Sequence, residues 1–181
     1  METYRIHDDA SVYFVTYSVV SWLPVFVSER ACRLLTESLA FCRTHKGLRV
    51  SAYVIMPTHL HAIVFDHEYD TARLTQSLDA FRRYTGRILA DDAIRNQPPV
   101  FSEVFWQAAG PDRHRRFWQP TRHPLAIRTA RFWKQKLDYI HANPVRKGLV
   151  QYPEDWRFSS ARSYATGNSA GNDVVITQIT W

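Results

Sequence analysis

The stretch RVSAYVIMPTHLHAIVF, residues 49–65, holds two β-branched and aromatic runs, 49–56 and 59–65, parted by Pro57-Thr58. Proline cannot donate to a strand ladder and fixes its own φ, so the pair reads as a hairpin of two antiparallel strands. On a strand, residues i and i+2 share a face, so His59 and His61 project side by side while Leu60 points into the opposite layer. Two imidazoles are thereby offered to one ion. In a chain with eight histidines such a pair is a weak signal, and two ordinary surface or core histidines are the competing reading.

Working outward, SVYFVTYSVV (11–20) is β-branched and aromatic without a breaker and predicts a first strand. Ser28 predicts the cap of a helix that carries Ala31, Leu35, Leu39 and Cys42 at helical spacing and stops at Gly47. From about 71 to 90 the helical period returns, with Leu74, Leu78, Phe81 and Ile88 on one side and Arg73, Arg83 and Arg87 toward another. Residues 91–116 lose the period and read as a long irregular excursion. Residues 117–128 read as a last, poorly alternating strand, and Thr129 as the cap of a helix from 130 to about 142, ended by Pro144. The order β-α-β-β-α-β predicts an α+β domain of ferredoxin-like, split β-α-β type: an antiparallel sheet with helices on one face and a further helix near the C-terminus. One domain over 1–165 is expected, followed by a flexible, small-residue tail over 166–181.

At 181 residues and 45% hydrophobic content the chain has material for one full core. No apolar run approaches the ~18 residues a membrane crossing needs and no signal segment opens the sequence, so a soluble, cytoplasmic protein is expected. Cys32 and Cys42 fall within one amphipathic helix, where they cannot easily meet, and are expected to be reduced core thiols. The net charge of +6 is concentrated from Arg113 to Lys147, a run with ten cations against Asp138, with Asp112 just before it. Phe117, Trp118, Phe132 and Trp133 are interleaved there, a pattern suited to phosphate contacts and base stacking on single strands.

The helix from 130 supplies what the histidines lack. At ~100° per residue, Phe132, Lys136, Tyr139 and Asn143 fall within about 60° of one another. Trp133, Leu137 and Ile140 form a separate apolar stripe about a quarter-turn away, which would dock the helix and leave Tyr139 and Asn143 aimed at an ion held by His59 and His61.

At this point the sequence resembles a known family. MPTHLHAIVF (56–65) and LDYIHANPVRKGLV (137–150) resemble the two signature blocks of the HUH single-tyrosine transposases, specifically the REP-associated tyrosine transposase branch. SLDAFRRYTGRI (77–88), FWQPTRHPLAIRT (117–129) and WRFSSARSY (156–164) match in order, so the resemblance spans roughly 10–165. It departs in two places: Thr58 stands where Asn or Glu is more usual, and the loop around 107–116 is longer.

The resemblance implies that His59 and His61 are metal ligands, Asn143 a third ligand, Tyr139 the nucleophile and the metal Mg2+ or Mn2+. It implies a tyrosine attack on single-stranded DNA bearing a hairpin, giving a 5′-phosphotyrosine and a free 3′-hydroxyl, in a monomer or homodimer. A phenol with an unperturbed pKa near 10 needs help to attack, and helical spacing puts Lys136 in reach of that task. Expected phosphate contacts are Arg82, Arg83, Arg87, Arg122, Arg128, Arg146 and Lys147, and Trp118 is an expected base-stacking residue. Two other readings use the same residues: a ferredoxin-like nucleic-acid-binding module with incidental histidines, and a metal-dependent phosphodiester hydrolase with Asp66 or another acid activating water.

Overall fold

The computed structural model describes residues 6, 10–111, 114–121, 124–168 and 173–179. Along the chain run β1 (Val12–Ser18), α1 (Glu29–Lys46), β2 (Leu48–Met56), β3 (His59–Asp66), α2 (Thr71–Asn96), α3 (Pro99–Gln107), β4 (Leu125–Ile127), α4 (Ala130–Arg146) and α5 (Ala161–Thr166). The four strands form one antiparallel sheet in the order β2-β3-β1-β4. That order, with α1 between β1 and β2 and α2 between β3 and β4, is the split β-α-β arrangement.

The alternation of β1 and β3 sorts the core into two layers. Tyr13, Val15 and Tyr17 of β1, with Leu60, Ala62 and Val64 of β3, face Leu35 and Leu39 of α1 and Leu74, Leu78 and Phe81 of α2. Val12, Phe14, Ile63 and Phe65 face the other way, onto Leu137 and Ile140 of α4. The expected placement of helices on one face thus holds for α1 and α2, while α4 covers the opposite face. Its apolar stripe needs a hydrophobic floor, and the second side of the sheet offers the one left uncovered.

Gly47 ends α1 in the left-handed region at φ 71°, and a Cβ there would stand 2.8 Å from the Asp66 carboxylate, so the tight entry into β2 requires glycine. The two cysteines are buried and unpaired with each other, and burial pushes the Cys32 thiol up to about 12.

Four local expectations are corrected. The α2 helix continues to Asn96, because Leu89, Ala90 and Ala93 keep its buried stripe and the buried Asp92 accepts a 2.5 Å hydrogen bond from Arg30 of α1. The residues expected to form an irregular excursion include α3, where Pro99 takes the first helical position and Phe105 is fully buried. Among the described residues of the strand expected over 117–128, only Leu125–Ile127 pairs as a strand, with an isolated bridge between Trp118 and Val19. Pro144 does not end α4: the helix runs through it to Arg146, since a proline so near the C-terminus removes one hydrogen bond and little else.

Residues 173–179, within the segment expected to be a flexible tail, are docked. Val174 is buried, Ile176 bridges Val50 in parallel, and the Thr177 amide donates to the Val50 carbonyl at 2.9 Å along the edge of β2.

Candidate active site

The register of β1 and β3 sets Thr16 opposite His61 and Ser18 opposite His59. On the α4 side of the sheet the two imidazole rings lie 4.5 Å apart, centroid to centroid. Each is oriented through the same atom. Thr16 Oγ1 stands 2.8 Å from Nδ1 of His61, and Thr58 Oγ1 stands 2.9 Å from Nδ1 of His59. With Nδ1 engaged by a hydroxyl, Nε2 is the nitrogen each ring has left to offer. Phe14 stacks on His61 at 5.2 Å and 27°, which fixes the ring plane.

Burial, helped by the charge of Lys147, pushes the His59 imidazole down to about 4. Burial, then His59 and Lys136, takes His61 down to about 3. Both rings are therefore neutral at ordinary pH, the form in which an imidazole binds a metal ion.

From α4, Tyr139 sets its ring 5.3 Å from that of His61, edge to face, and 6.0 Å from Phe14. One turn on, Asn143 is buried at 6% exposure. Its amide oxygen is a neutral acceptor of the kind a hard divalent ion takes beside imidazole nitrogens. Two neutral imidazoles and one amide oxygen thus fit a divalent cation that keeps positions open for phosphate oxygens. Among the described residues no group of three or more His, Cys, Asp or Glu side chains is placed to hold a metal ion, at this site or elsewhere.

Lys136 lies beside Tyr139, but over rings: its Nζ is 4.8 Å from the Phe14 centroid, 5.2 Å from Phe132 and 5.8 Å from Tyr139. Arg146 covers Tyr139 at 5.7 Å. The sequence-expected residues His59, His61, Lys136, Tyr139, Arg146 and Lys147 are thus gathered at one end of the α4 face, with Asn143 one turn beyond Tyr139.

The remaining expected contacts lie elsewhere. Arg82, Arg83 and Arg87 line a cleft of about 610 Å³ on α2, across the sheet from α4, together with Arg115 and Arg116. Arg82 is committed there to the Gln119 carbonyl at 2.5 Å. Arg128 is exposed just after β4, and Arg122 lies outside the described residues.

Trp118 is not a base-stacking residue. It is 3% exposed, its indole N–H donates to Thr85 at 3.1 Å, and it packs against Phe26, Phe117 and Tyr17. Gly86 makes room for it, since a Cβ there would stand 3.2 Å from the indole. Trp118→Ala is therefore expected to cost about 3–5 kcal/mol in urea unfolding, with DNA affinity unchanged in the folded fraction. A stable variant with weakened binding would restore the surface role.

Asp66, the acid a water-activating reading would recruit, is remote from the histidines. It lies five residues beyond His61, roughly 16 Å along β3, and alternation turns it to the α2 side. There it is buried, accepts from the Glu68 amide and pairs with Arg73 at 3.1 Å. Both faces of the sheet are covered by helices, so no open sheet surface is left for the base-stacking platform a binding module of this fold would use.

Thr16 was missed at the sequence level because its role depends on cross-strand register. Thr16→Val keeps the shape and removes the hydroxyl from Nδ1 of His61, and a roughly tenfold to hundredfold loss of Mn2+ affinity is expected, with Thr16→Ser restoring most of it. Titration of Mn2+ followed by electron paramagnetic resonance reads this directly, and an unchanged affinity in the valine variant would remove Thr16 from the account.

No protein-family model matches the chain. It is 24% identical over 128 residues to the REP-associated tyrosine transposase of Escherichia coli strain K12, a match covering 71% of this chain and 63% of that protein. It is 26% identical over 118 residues to a Haemophilus influenzae protein named "Putative REP-associated tyrosine transposase", covering 64% of this chain and 60% of the other. The matched region thus spans about three-fifths of these relatives' length. Among solved structures, a REP-associated tyrosine transposase bound to a REP hairpin superposes with a TM-score of 0.61 at 20% identity, covering 100% of this chain and 98% of that one. At that identity the superposition shows the fold.

Proposed function

We propose, from the premise that the REP-associated tyrosine transposases are relatives of this chain, that it cuts and rejoins single-stranded DNA through a covalent bond to Tyr139. The observation that carries the proposal is the meeting of Tyr139 with His61 at 5.3 Å on the one sheet face where both histidines present Nε2. A satisfied pair of core histidines needs no half-buried tyrosine at its edge, and a hydrolase needs an acid that this face does not supply among the described residues.

His59, His61 and Asn143 would hold a divalent ion, Mg2+ or Mn2+, which supplies Lewis-acid relief of the charge that builds on a phosphate under attack. Tyr139 Oη attacks phosphorus, the bond from phosphorus to O3′ breaks, and the departing O3′ takes a proton from water. The phenol proton leaves to solvent. A 5′-phosphotyrosine and a free 3′-hydroxyl result, and because one ester replaces another the bond energy is kept for rejoining. Phe14 and Thr16 keep His61 in place during attack.

Lys136 contributes by charge rather than as a hydrogen-bonded base, since its ammonium lies over the aromatic rings around Tyr139. A cation there attracts the incoming phosphate. Arg146 and Lys147 continue the positive field at the same end of α4, and the arginine cleft on α2 is a second, separate place for DNA backbone.

The test uses a pool of hairpin oligonucleotides with randomised single-stranded flanks, incubated with the protein and Mn2+ and resolved on a denaturing gel. A covalent protein–DNA band is expected. Cleavage with no such band would favour hydrolysis, and binding with no cleavage would favour a nucleic-acid-binding module.

A further inference from the structure

Trp22 is more than half exposed, at 56%, yet it is not a loosely held surface side chain. Val20–Leu23 forms a tight turn closed by the Leu23 amide on the Val20 carbonyl at 3.2 Å, with Ser21 at φ 52° and Trp22 at φ 55°. Two successive left-handed residues make a type I′ turn, whose central positions ordinarily carry Asn-Gly. A bulky side chain there is a backbone outlier, and folding alone would favour glycine.

The turn is fastened on both sides. The Val20 amide donates to the Phe117 carbonyl at 2.8 Å, the Val19 amide to the Thr58 carbonyl at 3.0 Å, and the Phe26 amide to the Pro57 carbonyl at 2.9 Å. It is therefore tied to the same Pro57-Thr58 turn that precedes the histidines. The indole meets His59 edge to face at 5.9 Å and 85°, which leaves a broad face of the ring in solvent.

An exposed indole, held against its conformational preference beside the ion-binding histidines, fits a ligand with a flat apolar surface. Arg146 lies over the Tyr139 ring at 5.7 Å, so the adjoining end of α4 is positive. A nucleobase attached to a phosphate satisfies both features, by stacking and by charge. We propose that Trp22 is the stacking platform for an unpaired base adjoining the phosphate that Tyr139 attacks. The inference rests on the proposed cutting of single-stranded DNA, and it identifies a base-binding subsite of that reaction.

The test compares Trp22→Gly and Trp22→Phe in a Tyr139→Phe background, so that binding is read without cleavage. The probe is the hairpin pool with randomised flanks, each flank position replaced in turn by an abasic site. Trp22→Gly suits the left-handed backbone, so its melting temperature is expected to stay level or rise, while affinity falls roughly tenfold. Trp22→Phe is expected to retain most of the affinity. One abasic position should reproduce the loss in the Trp22-containing protein and add nothing to Trp22→Gly.

Unchanged affinity in Trp22→Gly, or an abasic loss that adds to it at every position, would overturn the proposal. So would a fall in melting temperature that accounts for the lost binding. The two readings separate cleanly. Should the protein with Tyr139 intact form no covalent band while Trp22→Gly still loses base-dependent affinity, the cutting reaction fails and the stacking subsite stands.

Discussion

Tyr139→Phe is expected to abolish the covalent protein–DNA band, by at least about a thousandfold, while leaving affinity for hairpin DNA within about twofold. The substitution removes one oxygen and keeps the ring that packs between His61 and Phe14. Those contacts hold Tyr139 through its edge and face rather than through its hydroxyl, so helix docking should survive. The burial of Leu137 and Ile140, each contributing about 1.5–3 kcal/mol, anchors α4 independently of the phenol. A single-turnover gel with the hairpin pool reads the rate, and a filter-binding titration reads the affinity. Residual adduct above a few per cent would point to another nucleophile.

His61→Ala is expected to lower the single-turnover rate on the order of a thousandfold, corresponding to the several kcal/mol that metal stabilisation of a phosphate contributes. His59→Ala should behave similarly, and the two together little worse than either, because a site that has lost one of three ligands already holds its ion poorly. His61 is 6% exposed and stacked on Phe14, so its alanine variant also loses packing. His61→Gln keeps most of the volume and a polar tip, and raised Mn2+ should recover part of its rate. A histidine variant that cleaves normally at low Mn2+ would detach the pair from the chemistry.

Much of this site was legible in the sequence because its parts are local. The Pro57-Thr58 turn sets the hairpin, alternation puts His59 and His61 on one face, and the helical period puts Tyr139 and Asn143 one turn apart. What escaped depended on partners far away in the chain. Thr16 matters only through its register with His61, 45 residues distant. Trp118 looked like a stacking residue because aromatics among cations suggest one. Its burial follows from Gly86 and Thr85 on α2, which the pattern around residue 118 does not reveal.

Local signals also misled where breakers sit inside helices. Pro98-Pro99 suggests a loop, yet Pro99 opens α3 because the first helical amide needs no intrahelical partner. Pro144 suggests an end to α4, yet the helix continues to Arg146. Asp91-Asp92 suggests a polar boundary, yet Asp92 is the buried tie to Arg30, and Asp91 pairs with Arg115 at 2.5 Å. In the Val20–Leu23 turn beside the histidines, Ser21-Trp22 takes positions that Asn-Gly would have announced. The side of the sheet that α4 covers was likewise not decided by its own amphipathicity. It follows from α1 and α2 having filled the other side first.

The most direct measurement is mass spectrometry of the peptides released after incubation with hairpin DNA and Mn2+ and digestion of the DNA with nuclease. The account predicts a nucleotide attached by a phosphodiester to the peptide containing Tyr139, with an equal amount of oligonucleotide ending in a free 3′-hydroxyl. Cleaved DNA with a 5′-phosphate and unmodified Tyr139, or a nucleotide carried on any other residue, would contradict it.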